Sequence, residues 1–299
     1  MRVVSLLPSA TEIVAALGHA GDLVGRSAEC DYPPEIRSRR VVMRPKVDDF
    51  EKDSASIDAR VREVRSRDES LYAIDLDALR SLRPDLLLTQ DLCSVCSVTE
   101  HEVVRACARS GVSPRIVSLR PTRLGEVWES VRTVARALGD EPAADRLLES
   151  VGVRASAAPP SGRRVAVVEW VDPPIVAGLW TPDIVACAGG LPYGAVPGKP
   201  GERTRWDTIV RDAPDLVVLS PCSFSVDRCR LEIARSDAGP ALDSLASSGE
   251  VVLADEAYFS RPGPRLADGV GLIRRLLEGG PCTGPMPVRR WEHGEEVIP

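Results

Sequence analysis

The sequence lacks a long hydrophobic run. No apolar stretch in its 299 residues approaches the roughly 20 residues that a helix needs to cross a bilayer, so we predict no membrane span. The first residues, Met1 to Pro8, show neither a charged leader with an apolar core nor a small-residue cleavage site, and they predict a cytoplasmic protein. The net charge is −6 and the basic residues do not form a cluster, which argues against nucleic acid as a partner.

Catalytic motifs are scarce as well. The three histidines stand in separate contexts that suggest no Ser-His-Asp set. No glycine-rich stretch ends in the Gly-Lys-Ser/Thr of a phosphate loop. We therefore expect a binding protein rather than an enzyme.

The composition is that of an ordinary globular protein, with 43% hydrophobic and 27% charged residues. Apolar runs alternate with helical patterns along the whole chain, which indicates an α/β fold with mostly parallel sheets. A chain of this length tends to divide into two domains.

An internal repeat supports two similar lobes. Residues 77–88 match residues 207–218, because each begins with an aspartate seven residues before Pro-Asp and continues into an apolar strand. The strand that follows Arg2 is echoed by the strand that follows Arg164. We predict an N-terminal lobe over 1–118 and a C-terminal lobe with an irregular tail over 163–299.

The region between the lobes, 119–162, is predicted to be a connecting helix and a linker. Apolar residues from Leu124 to Leu138 fall on one helical face before Gly139 breaks the pattern. A second helix is predicted in the charged insert 48–73, where Ile57, Val61 and Val64 have helical spacing. Whether this insert closes over a ligand is left open by the sequence.

Polar and aromatic residues are concentrated after the predicted strands. Ligands bind beyond the carboxyl ends of parallel strands, and rings beside a few polar groups suit a flat, partly apolar ligand. Aromatic residues are only 4% of the chain, so their presence in these loops is informative, although core packing explains any single ring about as well. The predicted ligand-binding residues are Ser9, Glu29, Tyr32, Gln90, Cys93, Glu169, Trp170, Trp180, Phe224, Tyr258, Phe259 and Arg261.

The Cys-x-x-Cys pair, Cys93 and Cys96, allows several interpretations. A closed zinc site needs four ligands, normally from a second such pair, and the sequence has none. Cys93, Cys96 and Cys222 remain a hypothetical metal site, and a redox pair at a helix N-terminus is a further alternative. We favour small polarizable groups that line a pocket floor, where a thiolate can also contact a metal carried by the ligand.

Several segments together resemble one protein family. They are Arg2 to Glu12, Asp31-Tyr-Pro-Pro34, Leu82-Arg-Pro-Asp85, Trp206 to Pro214, and Arg261-Pro-Gly-Pro-Arg265. In this order they are similar to the class III solute-binding proteins of ABC importers, especially the branch that binds vitamin B12. The resemblance implies two α/β lobes joined by a long helix and a cobalamin, haem or iron-siderophore chelate in the cleft.

The resemblance also implies roles for individual residues. Tyr32 matches the family's cobalamin-contacting ring, and Trp170 and Phe259 lie near the positions of others. Two family tryptophans are missing, one within Met43 to Val47 and one near Gln90, which does not favour strict selectivity for vitamin B12. The family's permease-docking acids correspond to Asp77 and Asp207, where aspartate replaces glutamate. The alternative interpretation is that these acids cap a helix N-terminus or stabilise its first turn through the helix dipole.

The sequence thus predicts a cytoplasmic binding protein whose partner is a small metal chelate: a corrinoid, a haem-like group or a siderophore. An alternative remains open on the same scaffold. It is a metalloprotein or metal-dependent enzyme that uses the cysteines and nearby glutamates.

Overall fold

The computed structural model describes residues 1–46, 53–67, 70–90 and 98–292. The chain forms two compact units. The first contains the described residues of Met1–Glu51, Ala59–Pro121 and Gly125–Ser150, and the second contains those of Lys52–Asp58, Thr122–Leu124 and Val151–Pro299.

A six-stranded sheet lies in the first unit. Its strands are β1 (Val3–Ser5), β2 (Leu23–Ser27), β3 (Arg40–Pro45), β4 (Tyr72–Ile74), β5 (Leu86–Gln90) and β6 (Arg115–Leu119). Their order is β4-β3-β2-β1-β5-β6. Strand β4 is antiparallel to β3, and all the remaining neighbouring pairs are parallel. The helices up to residue 154 are α1 (Pro8–Ala16), α2 (Ser54–Ser66), α3 (Leu76–Leu82), α4 (Glu100–Ser110), α5 (Leu124–Leu138) and α6 (Glu141–Arg154).

The second unit has its own mixed sheet. Its strands are β7 (Arg164–Trp170), β8 (Ile175–Val176), β9 (Leu191–Pro192), β10 (Glu202–Arg203), β11 (Leu216–Leu219), β12 (Glu250–Ala254) and β13 (Val288–Arg290). Their order is β10-β8-β7-β11-β12-β13, and β9 also pairs with β7. The helices are α7 (Thr181–Cys187), α8 (Trp206–Asp212), α9 (Val226–Ala234), α10 (Ala238–Ala246) and α11 (Leu266–Leu277). The predicted α/β class with two lobes is confirmed.

The central strands are mostly apolar because helices cover both faces of a parallel sheet. Every residue of β11 is buried, as are Leu86, Leu87 and Leu88 of β5. Side chains of β1 and β5 enter two separate clusters, one with Ile13 of α1 and the other with Leu79 of α3. Alternate residues of one strand thus pack into two different clusters, because successive side chains of a strand point to opposite faces of the sheet.

The repeat seen in the sequence has a structural counterpart at the start of each central strand. The Asp85 carboxylate accepts a hydrogen bond of 2.8 Å from the Arg2 backbone N–H, just before β1. The Asp215 carboxylate accepts one of 2.7 Å from the Arg164 backbone N–H, at the start of β7. We call Pro84-Asp85 and Pro214-Asp215 the Pro-Asp corners. Each Pro-Asp corner fixes the start of the corresponding strand in its unit.

The predicted helices at 124–138 and in the insert are confirmed as α5 and α2. The apolar face of α5 is buried through Val127, Val131 and Val134. The chain does not then run directly into a linker, because α6 follows at once and packs on the same cluster through Ala143 and Ala144.

Helix α1 begins without a side-chain cap. Its first residue is Pro8, after Leu7, and among the described residues no side chain caps the backbone N–H groups of its first turn. Proline is favoured in the first helical turn because its φ is preset and it has no N–H to satisfy. The Thr11 hydroxyl instead donates to the Leu7 carbonyl at 3.1 Å. Among the described residues, no helix has the length and apolarity to cross a membrane.

The Pro-Asp corner can be tested in the second unit. We expect Asp215→Ala to lower the free energy of unfolding by about 1 kcal/mol, the usual net value of one hydrogen bond, because the Arg164 N–H loses its acceptor. Asp215→Asn keeps an acceptor oxygen and is expected to cost less. Urea unfolding measures both, with Asp145→Ala, at an exposed position on α6, as the control. A wild-type midpoint for Asp215→Ala would contradict the assigned role.

Candidate ligand site

In the first unit, the carboxyl ends of β1 and β2 and the chain that follows them combine buried hydroxyls with one exposed ring. Ser5 and Ser27, which end β1 and β2, are fully buried, and the Ser5 hydroxyl donates to the Leu7 carbonyl at 3.0 Å. The Tyr32 ring is 45% exposed and precedes a cis peptide bond to Pro33. A large ring that follows a strand and is partly open to solvent can stack on a flat ligand.

The other predicted residues of this unit differ in exposure. Glu29 and Gln90 are half-buried, whereas Ser9 lies in the interior of α1 and is buried. Cys30, between Glu29 and Tyr32, is buried and accepts a hydrogen bond from the Thr11 hydroxyl at 3.1 Å. This contact ties the segment before Tyr32 to α1.

In the second unit, the ends of β7 and β11 bring four predicted residues together. The Cys222 N–H donates to the Glu169 carbonyl at 3.1 Å, so the loop after β11 lies along the end of β7. The rings of Trp170 and Phe224 pack with their centroids 5.3 Å apart at an interplanar angle of 44°. Glu169, Trp170 and Cys222 are half-buried, and Phe224 is buried beneath. This cluster is an apolar surface with a thiol at its side.

A buried ion pair holds the loop that carries Cys222. The Glu256 carboxylate accepts hydrogen bonds from Arg261 Nε at 3.1 Å and from the Ser223 N–H at 2.6 Å. Burial raises the pKa of Glu256, while the Arg261 charge and the Ser223 N–H act in the opposite direction. Ser223 has a φ of 65°, a left-handed conformation that costs energy for a non-glycine residue. The Glu256 contact therefore stabilises a turn that the sequence alone disfavours.

The remaining predicted rings lie in the interior. Tyr258 is 0% exposed, and its hydroxyl donates to the Met286 carbonyl at 2.8 Å. Trp180 and Phe259 are also buried, and the Trp180 indole N–H donates to the Phe259 carbonyl at 2.6 Å. These hydrogen bonds satisfy the polar atoms that buried rings carry. Core packing thus accounts for the positions of the three rings, and the ligand surface that we propose does not include them.

Cys93 and Cys96, two members of the predicted metal set, lie outside the described residues. The ligand contact predicted for Cys93 falls outside them for the same reason. The third, Cys222, is a free thiol. Within the described ranges, no group of three His, Cys, Asp or Glu side chains is arranged to hold a metal ion.

The predicted docking acids are both prominent on the surface. The side chains of Asp77 and Asp207 are 85% and 82% exposed. Neither is a helix cap, because Asp75 caps α3 and Arg205 occupies the cap position of α8. The N-capping half of the alternative is therefore wrong. The first-turn half agrees with the structure, because both aspartates lie in the first turn of a helix, where the helix dipole favours an acid.

The fold is similar to that of several proteins of known structure. No family model matches the chain. A periplasmic heme-binding protein of Pseudomonas aeruginosa superposes with a TM-score of 0.67 at 18% identity, over 97% of each chain. The periplasmic vitamin B12 binding protein BtuF of Vibrio cholerae gives 0.62 at 18% identity, over 93% of this chain and 96% of its own. A protein of an Fe³⁺-hydroxamate transport system from Saccharomonospora viridis gives 0.63 at 16% identity, over 93% of both chains.

One curated relative is similar in sequence. The ABC transporter substrate-binding lipoprotein YvrC of Bacillus subtilis is 25% identical over 150 residues. The match covers 50% of this chain and only 38% of the relative. The structural likenesses establish the fold, and the predicted resemblance to class III solute-binding proteins is confirmed at that level.

The predicted cytoplasmic location is wrong. The proteins that this chain matches are a substrate-binding lipoprotein and periplasmic binding proteins, which operate outside the cytoplasm. The prediction rested only on the first residues of the sequence.

Two features of the site had little signal in the sequence. Glu256 was recognisable only as an acid in a loop, and its pairing with Arg261 depends on how that loop turns. Arg228 was not predicted, yet its guanidinium lies 5.1 Å from the centre of the Phe224 ring. The spacing Phe-x-x-x-Arg is a weak indication of this contact, since Phe224 precedes α9 and Arg228 lies in its first turn.

The buried pair gives a pH-dependent prediction. Arg261→Gln leaves the Glu256 carboxylate without its cation, and we expect a loss of about 3 kcal/mol in unfolding free energy at neutral pH, typical of a broken buried pair. A carboxyl whose folded pKa is raised is stabilising while protonated and loses that contribution as pH rises. The difference from wild type should therefore grow as the pH rises through the folded pKa of Glu256, which burial raises above the ordinary 4.5 of this carboxyl.

Chemical unfolding at several pH values measures this difference. Arg132→Gln, which breaks an exposed ion pair on α5, serves as the control and should cost little at any pH. A pH-independent difference for Arg261→Gln would show that the Glu256 carboxylate does not depend on this guanidinium.

Proposed function

We propose that this protein is a solute-binding subunit of an importer and that its ligand is a metal chelate of the tetrapyrrole type, either haem-like or corrinoid. The fold supports the general class, since proteins of the same fold include a heme-binding protein, a vitamin B12 binding protein and a protein of an Fe³⁺-hydroxamate transport system. Activity outside the cytoplasm, beside a permease, is part of this proposal.

The observation that carries the proposal is the exposed Tyr32 ring in the segment that follows β2 in the first unit. The Trp170–Phe224 pair supplies a second aromatic surface at the strand ends of the second unit. Flat rings recognise a flat macrocycle through stacking and apolar burial. This favours a tetrapyrrole over a siderophore, whose oxygen-rich chelate requires polar donors.

We propose the half-buried residues around these rings as the remaining ligand contacts. They are Glu29, Gln90, Glu169, Cys222 and, through its pair with Glu256, Arg261. A thiol is a soft ligand suited to iron or cobalt held in a macrocycle, so Cys222 is the proposed contact to the chelated metal. Cys93 keeps the same role as a sequence-based proposal.

We further propose that Asp77 and Asp207 contact the permease. Each is largely exposed, and among the described residues each pairs with a neighbouring arginine of its own segment, Arg80 or Arg205. Such exposed pairs contribute little to stability, so these acids can exchange partners at small cost. Their equivalent places in the internal repeat support a shared role.

Ligand titration tests the proposed function. Hemin, cyanocobalamin and a ferric hydroxamate are each added to the purified protein, and absorbance and gel filtration report binding. We expect a one-to-one complex with hemin or cyanocobalamin. Binding of the hydroxamate alone would contradict the tetrapyrrole assignment, and binding of none of them would contradict the function.

Tyr32 gives a sharper prediction. We expect Tyr32→Ala to weaken ligand affinity about tenfold, because a stacked aromatic contact contributes about 0.5–1.5 kcal/mol beyond the area that it buries. Tyr32→Phe keeps the ring and should retain most of the affinity. Val153→Ala, at another exposed apolar residue, is the control. Equal affinities for Tyr32→Ala and wild type would exclude the ring from the site.

A further inference from the structure

The first turn of α2 belongs to the second unit. Residues 53–58 are part of that unit, whereas Ala59, the next residue of the helix, belongs to the first. Asp53 caps the helix by accepting a hydrogen bond from the Ser56 N–H at 2.8 Å. We call Ser54 to Asp58 the strap, and its contacts described below all lie within the second unit.

A buried carboxylate holds the N-terminal end of the strap. The Ser54 N–H donates to Glu232 Oε2 at 2.7 Å, and Glu232 lies on α9, 178 residues further along the chain. Glu232 is 1% exposed and is paired with Arg228 at 2.9 Å. An ionised acceptor makes a stronger hydrogen bond than a neutral one, and a buried acceptor that loses its donor is costly.

A second ion pair holds the other end of the strap. Arg203, on β10, donates to Asp58 Oδ2 through Nη1 at 3.0 Å and to Oδ1 through Nη2. The Asp58 side chain is 6% exposed and that of Arg203 is 46% exposed, so the carboxylate of this bidentate pair is screened from solvent while the guanidinium is partly open to it. The hydrogen bond to Asp58 raises the pKa of Arg203. Planar two-point pairing fixes orientation as well as distance.

The strap also contacts the aromatic pair of the candidate site. The indole Nε1–H of Trp170 lies 3.2 Å from the Ser54 carbonyl and 3.2 Å from the Asp172 carbonyl. On its other side, Trp170 packs on Phe224, and Arg228 lies over Phe224. Arg228 therefore touches both the ring pair and Glu232, so the strap and the rings share one network.

We propose that the strap positions the Trp170–Phe224 pair for its ligand and that Arg203, Asp58 and Glu232 are positioning residues for the site. This rests on the proposed function, in which that pair is a ligand surface. The strap supplies an acceptor for the only polar atom of the Trp170 ring. A ring that is already oriented loses less conformational freedom when the ligand binds, which increases affinity.

Releasing the strap should therefore weaken binding without removing any group that touches the ligand. We expect Arg203→Gln to weaken affinity for hemin or cyanocobalamin about three- to tenfold, mainly through faster dissociation. Without ligand, the same variant should show faster hydrogen exchange at residues 54–58 and a shifted Trp170 fluorescence.

Arg290→Gln is a matched control. Arg290 pairs with Glu250 through two nitrogens in the same unit, and its side chain is 49% exposed against 46% for Arg203. A general effect of removing an arginine pair would appear in both variants. Only Arg203→Gln should change the ligand dissociation rate.

A double variant separates positioning from general destabilisation. Trp170→Phe keeps a ring but removes the indole N–H, so the strap can no longer orient it through that bond. If both residues act through this contact, their effects on affinity will be less than additive. Full additivity of Trp170→Phe and Arg203→Gln, or wild-type affinity for Arg203→Gln, would overturn the proposal.

Failure of the proposed function has a different signature. If the wild-type protein takes up none of the chelates, that function fails, and the strap is judged by hydrogen exchange in the absence of ligand. Faster exchange at residues 54–58 in Arg203→Gln, but not in Arg290→Gln, would then support the strap as a device that orders Trp170. Unchanged exchange would overturn it.

Discussion

One backbone hydrogen bond to a carboxylate sets the frame of each unit. Asp85 and Asp215 each accept the N–H at the start of a central strand, and the two strands, β1 and β7, have partners on both sides. Fixing where such a strand begins also fixes where its carboxyl end emerges. Glu169 and Trp170 end β7, and most of the other proposed ligand residues lie at or after the ends of β2, β5 and β11, which pair in parallel with β1 or β7. The corner and the site therefore depend on the same strand register.

The two units use this frame differently. The first leaves Tyr32 open to solvent, whereas the second builds its surface on a network of buried charges. Glu256 with Arg261 holds the loop of Cys222, and Glu232 with Arg228 borders the Trp170–Phe224 pair. Buried ion pairs contribute little net stability compared with apolar packing, yet breaking one is costly. Their effect here is to specify one arrangement of loops and rings.

Much of the scaffold was predictable because it depends on residue patterns that are local in the sequence. The 3.6-residue spacing of α5 and α2, and the repeated Pro-Asp corner, gave the helices and the duplication. The burial of Tyr258 was not predictable, because its hydroxyl is satisfied by Met286 in a tail that reads as irregular. The strap was equally hidden, since Arg203 and Asp58 are 145 residues apart. Long-range polar contacts of this kind have no periodicity from which they can be predicted.

The most direct measurement is hydrogen exchange with and without saturating hemin or cyanocobalamin. If ligand binding occurs at the carboxyl ends of the strands, protection should appear in residues 28–34 and 169–174 and in the loop 220–224. The opposite strand ends, at residues 83–85 and 111–114, should exchange as in the free protein. Protection confined to those opposite ends, or no protection at either end, would contradict a chelate site built on the ring-bearing loops.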